Sequence, residues 1–153
     1  MKEFQSILIE QTPRTPQIDL NRVTGELVFS GKSIPENANK VYEPVYNWVS
    51  EYILNARPTT NIRLNLEYFN TATSLWLAKI LKVLIQIKQT EYIIILHLYL
   101  EIDDYEDIED FGDIIDVFGP IAGIFQQSIP GIGIKIYGTD DEGKIIKDKL
   151  VYI

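Results

Sequence analysis

The chain has 153 residues, the length of one ordinary domain, and 46% of them are apolar, which excludes a disordered chain. Its net charge is −8, and the whole acidic excess falls in residues 89–134, where ten acids occur without a Lys or Arg. Because no basic stripe is present, binding to nucleic acid or to an anionic membrane surface is disfavoured. With no Cys and one His, the chain lacks disulfides, thiol chemistry and His-based metal pairs.

The N-terminal part predicts a strand followed by a hairpin. Residues 6–11 alternate apolar and polar side chains as a strand does, and the two prolines in residues 12–16 end it. Residues 17–23 and 26–30 flank the dipeptide Thr24-Gly25, a pattern typical of a β-hairpin.

Residues 31–37 predict a turn that leads into a first amphipathic helix. Pro44 is tolerated in the first turn of a helix, so we expect regular helix from about Tyr42, or a kink if the helix begins earlier. The sequence of residues 56–60 then ends it. The apolar side chains that define its buried stripe are Val41, Val45, Trp48, Val49 and Tyr52.

The middle of the chain predicts a strand, a helix and a second strand. Residues 62–68 alternate strictly, which indicates a half-buried strand. In residues 75–88 the polar side chains form one narrow stripe, so this helix is mostly buried or faces a partner. Residues 92–100 form an apolar run that fits a central strand with both faces covered. His97 interrupts the run, and we interpret it as a hydrogen-bonded core histidine.

Residues 103–118 repeat apolar side chains at spacings of three and four, which predicts one amphipathic helix with acids on its other faces. Gly119-Pro120 ends it. The acids do not fit a calcium-binding EF-hand loop, because apolar residues occupy positions that must supply ligands. A solvated face, a docking surface for a basic partner and a metal site all stay open as interpretations.

Residues 121–128 are ambiguous, residues 132–136 predict a strand, and residues 144–153 a short last strand. This order of elements predicts an α/β fold with two or three layers on a mixed sheet, in which right-handed crossovers join locally parallel strands. We expect a single domain over residues 1–153, with no membrane span and no signal peptide, and therefore a cytoplasmic location.

The loop of residues 68–76 brings hydroxyl groups to the predicted start of a helix. Thr71, Thr73 and Ser74 lie where backbone N–H groups point outward and the helix dipole is positive. A phosphate attached here would be held by free amides and would add a charge of about −1.5 to −2. Two interpretations stay open: Asn70, Thr71 or Thr73 caps the helix, or one hydroxyl is functional.

Three stretches, in their order and spacing, resemble one known family. They are residues 31–37 (GKSIPEN) leading into 42–48 (YEPVYNW), then 66–71 (LEYFNT), then 103–107 (DDYED) with Gly112-Asp113. Over residues 4–117 the chain is similar to the SiaC family of bacterial regulatory phosphoproteins, and residues 129–153 lie outside the resemblance as a C-terminal extension. The resemblance implies a STAS-like sandwich, similar to anti-sigma-factor antagonists, with an N-terminal hairpin and about three helices on a mixed sheet.

The resemblance implies a partner switch that is not an enzyme and needs no cofactor or metal. In such systems a kinase phosphorylates a threonine of the strand-to-helix loop, and a PP2C-like phosphatase removes the phosphate. The unphosphorylated protein binds and activates a diguanylate cyclase, an enzyme of cyclic di-GMP signalling. Carried onto this sequence, the acceptor falls on Thr71, with Thr73 and Ser74 as alternatives. We expect the partner to contact Asn70, Thr71, Ala72, Thr73, Asp103, Asp104, Glu106 and Asp107.

Two other function classes stay open. A STAS-like binding module that senses a small ligand without phosphorylation would have a pocket beneath the hydroxyl loop. An enzyme would combine the acidic cluster with a metal ion, which would stabilise it against heat. Under the switch hypothesis, the acids of residues 103–107 attract a basic surface of the partner, so that their effect weakens with salt.

Overall fold

The structure, a computed structural model, describes residues 5–87, 91–124 and 131–151. Its strands form one mixed sheet in the order β1-β2-β3-β4-β5-β6-β7, which is also their order along the chain. The strands are β1 Ile7–Ile9, β2 Gln17–Leu20, β3 Glu26–Ser33, β4 Thr59–Phe69, β5 Ile93–Glu101, β6 Ile132–Thr139 and β7 Ile145–Val151. The helices are α1 Ala38–Tyr52, α2 Thr71–Leu84, α3 Ile102–Glu106, α4 Phe111–Phe118 and α5 Pro120–Gly123, with a 3-10 turn at Ile53–Asn55.

The predicted hairpin is confirmed as the antiparallel pair β2–β3. Its turn is closed by Asn21, whose side-chain oxygen accepts the backbone N–H groups of Val23 and Thr24. Gly25 follows with φ +75°, a left-handed conformation that glycine adopts without steric cost.

Two layers form the fold, with the helices in one and the sheet in the other. Strands β3 to β6 are parallel, and each crossover moves to the next position in the sheet. Right-handed crossovers that all advance in one direction place their helices on the same face. The sequence is compatible with two or three layers. The sequential strand order favours two, because it places all the crossover helices on one face of the sheet.

The core lies between the helices and one face of the sheet. Alternate residues of the parallel strands point into it, which is why the predicted period of two is confirmed there. The side chains buried in this way, all at most 2% exposed, include Leu27, Phe29, Ile62, Leu64, Leu96, Leu98, Ile134 and Ile136. β5 is confirmed as a central strand, between β4 and β6. The helices cover one of its faces, and on the other face His97 is buried while Ile95 and Tyr99 are half-buried.

The first helix begins earlier than predicted. β3 continues to Ser33, so the expected turn is shorter, and α1 begins at Ala38 instead of near Tyr42. Asn37 is its N-cap and accepts the backbone N–H of Lys40, which satisfies one of the free donors of the first turn. Pro44 therefore lies inside the helix.

The prediction of a single helix over residues 103–118 is wrong. α3 ends at Glu106 and α4 begins at Phe111. Asp110 and Asp113 form a capping box, in which each carboxylate accepts the backbone N–H of the other residue. These two reciprocal bonds favour a new helix start over a continuous helix. The expected count of about three helices is exceeded because this segment is divided and α5 follows.

The remaining boundaries differ less. α2 begins at Thr71, four residues before the predicted start at Leu75. β6 and β7 confirm both predicted C-terminal strands, whereas half of the ambiguous segment, residues 125–128, lies outside the described residues. In the part of the chain that the structure describes, no helix is long and apolar enough to cross a membrane.

Candidate functional site

The loop between β4 and α2 lies at the edge of the sheet where the parallel strands end. Asn70 is the N-cap of α2: its side-chain oxygen accepts the N–H of Thr73 at 2.9 Å. Its backbone N–H donates to the carbonyl of Ser33, and its side-chain amide donates to the carbonyl of Pro35 at 3.4 Å. One asparagine thus joins the start of α2 to the end of β3 and to the segment before α1.

The three candidate hydroxyls of this loop differ in exposure. Thr71 and Ala72 are exposed, whereas Thr73 is fully buried and Ser74 is 6% exposed. Thr71 is the first residue of α2, so it stands beside the free N–H groups of the first turn. Of the three residues, Thr71 alone is exposed to solvent.

Thr73 belongs to a buried chain of three hydroxyls. The Ser33 hydroxyl lies 2.5 Å from that of Tyr42 and 2.8 Å from that of Thr73. The Thr73 hydroxyl also donates to the Ser33 carbonyl at 3.0 Å, so it must accept from the Ser33 hydroxyl, which in turn accepts from Tyr42. This single direction of donation satisfies every proton and ties α1 and α2 to β3.

Burial of this cluster affects the acidity of Tyr42. Loss of water around the phenol raises the pKa of Tyr42 to about 12, and the hydrogen bonds to Ser33 and Thr73 oppose part of that rise. The phenol is therefore neutral throughout the physiological range and remains a hydrogen-bond donor.

Two exposed apolar side chains lie within four positions of Thr71 in the chain. Tyr68 is 65% exposed and Leu75 is 52% exposed. Between the starts of the two long helices, the indole N–H of Trp76 donates to the side chain of Asn39 at 3.0 Å. The hydrogen bonds of Asn70 and Trp76 therefore hold the loop in place. Its exposed surface is partly apolar, as the surfaces of protein–protein interfaces are.

The acids predicted to contact a partner lie at the same edge, after the neighbouring strand. Asp103, Asp104 and Asp107 are exposed, but Glu106 forms an ion pair with Lys147 at 2.8 Å. In the described residues no hydrogen bond or ion pair joins this segment to residues 70–73. No group of three acids or histidines in the described ranges is arranged to hold a metal ion.

His97 is buried, and its two nitrogens are hydrogen-bonded, which confirms the interpretation as a core histidine. The Nε2–H donates to the side-chain oxygen of Asn61 at 2.7 Å, so Nδ1 accepts from the Tyr137 hydroxyl at 2.6 Å. Burial, followed by the nearby Arg63 charge, lowers the pKa of His97 to about 4.

Sequence reasoning missed Arg63 as a member of this network. It forms an ion pair with Glu26 at 2.8 Å and donates to the Tyr99 hydroxyl at 2.8 Å. Glu26 and Arg63 are 37 positions apart, and only the parallel register of β3 and β4 brings them together. Arg63 stands at a position where the strand pattern predicts only a polar side chain.

Residues 9–121 match the family model described as SiaC family regulatory phosphoprotein. The chain belongs to the SiaC family. SiaC of Pseudomonas aeruginosa shares 26% identity with it and a TM-score of 0.59, over 63% of this chain and 80% of that chain. Comparison with the curated proteins gave no match.

Two further structures share the fold of this family member at 22% identity. Apo-SiaC from Pseudomonas aeruginosa has a TM-score of 0.65, over 85% of this chain and 98% of that chain. The other is the diguanylate cyclase SiaD in complex with its activator SiaC from the same organism. That match has a TM-score of 0.66, over 86% of this chain and 99% of that chain.

Proposed function

We propose that this SiaC family member is a cytoplasmic, STAS-like partner-switching protein controlled by reversible phosphorylation of Thr71. A cognate kinase adds the phosphate, and a PP2C-like phosphatase removes it. The unphosphorylated form binds and regulates an output protein, for which a diguanylate cyclase is the first candidate because a relative is the activator of one. The protein itself performs no catalysis.

The exposed position of Thr71 at the start of α2 carries this proposal. A kinase needs an accessible hydroxyl, and Thr71 offers one without a change of fold. Thr73 and Ser74, the alternatives, are buried, and Thr73 already uses its hydroxyl in the contact with Ser33. Their phosphorylation would require the first turn of α2 to open.

A phosphate on Thr71 has a clear physical effect. The free N–H groups and positive dipole end of α2 receive the new charge, so the domain need not unfold. A partner that buries Thr71 together with Tyr68 and Leu75 would have to bury an unpaired dianion, which is strongly unfavourable. Phosphorylation is therefore a release signal.

The proposed partner surface includes residues 70–73. The buried Thr73 contributes by holding the loop in place through its hydrogen bonds to Ser33. It also includes the exposed acids of α3, at Asp103 and Asp104, and Asp107 beyond its end. Glu106 contributes less because Lys147 already neutralises it.

An alternative is a small-ligand-sensing module without phosphorylation. A mostly apolar groove of about 420 Å³ lies beside the start of α1 and is lined by Ile9, Pro16, Pro35, Val41 and Pro44, among others. The carbonyl of Pro35 accepts the Asn70 side chain, so a ligand in this groove would act on the same loop. Absence of phosphate in cells together with a bound metabolite would favour this alternative.

Mass spectrometry tests the acceptor directly. Trypsin releases residues 64–79 as one peptide with all three candidate hydroxyls, since no Lys or Arg lies between Arg63 and Lys79. We expect phosphate on Thr71 in protein taken from its native cell. If this peptide carries no phosphate under varied growth conditions, the switch hypothesis is wrong.

Partner capture tests the consequence. We expect Thr71→Ala to capture the output partner from native cell extract. Thr71→Asp should capture at least tenfold less of it, because the new charge would be buried without a partner. The matched control is Thr59→Asp, at another exposed threonine on the opposite end of β4. Equal capture by both Thr71 variants would contradict the release mechanism.

A further inference from the structure

In the described residues no second layer covers the sheet face opposite the helices, and this face opens at one end into a cleft. The cleft has a volume of about 770 Å³ and lies where β3, β4, β5 and β6 end. The turn of residues 140–143, between β6 and β7, forms one of its walls. Thr71 is not among the residues that line it.

Carboxylates dominate the charge of the cleft. No Lys, Arg or His is among its lining residues, and none of its acids forms an ion pair in the described residues. Elsewhere on the described chain the carboxylates of Glu26, Glu36, Glu106 and Asp148 are each paired with a Lys or Arg. The unneutralised acids are Glu67, Glu101, Asp104, Asp140, Asp141 and Glu142.

Aromatic rings accompany these acids. Tyr68, 65% exposed, and the half-buried Tyr99 both line the cleft. Lys32 lies 5.8 Å from the ring centre of Tyr68, and Lys135 lies 5.3 Å from that of Tyr137, on which Tyr99 stacks. The chain thus already places cations on rings of this kind, which attract them through the negative face of the π system.

The arrangement does not suit a single ion. The acids come from the ends of β4 and β5, from α3 and from a turn, and no three of them in the described ranges converge as metal ligands do. Neighbouring strands are about 4.8 Å apart, so the charges are spread along the cleft. Charges at such intervals complement a chain that carries several cations.

We propose that this cleft docks an extended Lys- and Arg-rich segment of a partner protein. Its cations meet the carboxylates that form no ion pair, and its arginine planes or lysine ammonium groups lie against Tyr68 and Tyr99. The docking extends the proposed partner surface, with which the cleft shares Tyr68 and Asp104, and it needs no phosphorylation of Thr71.

Peptide binding measured by fluorescence anisotropy tests the proposal. The probe is a fluorescein-labelled peptide of alternating Arg and Ser, beside a matched peptide with Gln in place of Arg. The chain should bind the Arg peptide only. The double variant Glu67→Gln/Glu101→Gln should bind it about tenfold more weakly at low salt, as expected for two exposed charges. Both glutamates are exposed and form no hydrogen bond in the described chain, so the fold is retained.

The control double variant is Glu43→Gln/Glu51→Gln, which removes the same charge from exposed positions of α1. We expect its affinity to remain within twofold of the parent chain. Equal weakening in both double variants would show attraction by net charge alone and overturn the proposal. So would cleft-dependent binding of spermine without binding of the Arg peptide. Because the assay uses unphosphorylated protein and no cognate partner, its failure leaves the Thr71 hypothesis intact.

Discussion

At the scale of single residues, the buried hydroxyl chain predicts a stability effect. Tyr42→Phe removes the hydrogen-bond donor to the buried Ser33 hydroxyl, which then keeps only its bond to Thr73. We expect the free energy of unfolding to fall by about 1–2 kcal/mol, measured by urea denaturation. The control is Tyr46→Phe, on the same helix, because the Tyr46 hydroxyl is half-buried and has no hydrogen-bond partner in the described residues.

Alkaline pH provides a second measurement on the same variant. The pKa of Tyr42 is about 12 in the folded chain and near 10 in the unfolded chain. The contribution of its hydroxyl to the free energy of unfolding is therefore complete below pH 10 and is lost as pH rises towards 12. The stability difference between parent and Tyr42→Phe should therefore shrink over this range. A difference that stays constant, or an equal loss in Tyr46→Phe, would contradict the hydroxyl chain.

The buried His97 predicts a response to acid. Its pKa is about 4 in the folded chain and near 6.5 when unfolded, so the unfolded chain takes up the proton first as pH falls. Stability from neutral His97 is complete above pH 6.5 and is lost between pH 6.5 and 4. Relative to His97→Gln, the free energy of unfolding of the parent chain should fall by on the order of 1–3 kcal/mol across this pH range.

Urea denaturation of both proteins at several pH values measures this effect, and the difference between them cancels the titration of the many carboxylates. A difference that does not change between pH 7 and pH 4 would show that His97 titrates alike in the folded and unfolded chains.

At the scale of elements, Lys149 of β7 fixes the edge of the sheet to the segment between α3 and α4. Its ammonium donates to the carbonyl of Ile108 at 2.6 Å and lies 5.0 Å from the ring centre of Tyr105. Lys149→Met should lower the free energy of unfolding by about 1–2 kcal/mol and accelerate amide exchange in β7. Lys144→Met, at an exposed lysine outside the strand, serves as the control. Unchanged exchange in β7 would contradict this role.

Element boundaries were predicted best where one periodicity dominated. The strict alternation of residues 62–68 predicts β4, and the dipeptide Thr24-Gly25 predicts the turn of the hairpin. α1 begins before the predicted start because the Asn37 cap favours an early start, and the helix tolerates Pro44 at the cost of one hydrogen bond and a local clash. The division of the acidic helix had a signal in Asp110 and Asp113, whose spacing of three matches a capping box.

At the scale of the whole molecule, the sequence predicted the fold class but not the number of layers. Alternating strands and helices indicate parallel strands, yet the layer count depends on whether successive crossovers advance in one direction or reverse. That choice is made by contacts between distant segments, such as the register of Arg63 opposite both Val28 and His97.

The candidate site was predicted in the same partial way. The loop and its hydroxyls were visible in the sequence because they stand at a strand-to-helix transition. The difference between Thr71 and Thr73 was not visible, since it depends on Ser33, 40 positions before Thr73 in the chain. The cleft also escaped prediction, because its carboxylates come from separate strand ends, a short helix and a turn.

The sequential strand order has a mechanical consequence. The first and last strands, β1 and β7, are the two edges of the sheet, about 29 Å apart at a spacing of about 4.8 Å per strand. A force applied between them pulls across the strands, along the direction of the hydrogen bonds between them. Such a load breaks the hydrogen bonds of a strand pair one after another, whereas a load along the strands must break all the hydrogen bonds of a pair together. Tension between its edges would therefore peel this sheet at low force, one strand after another.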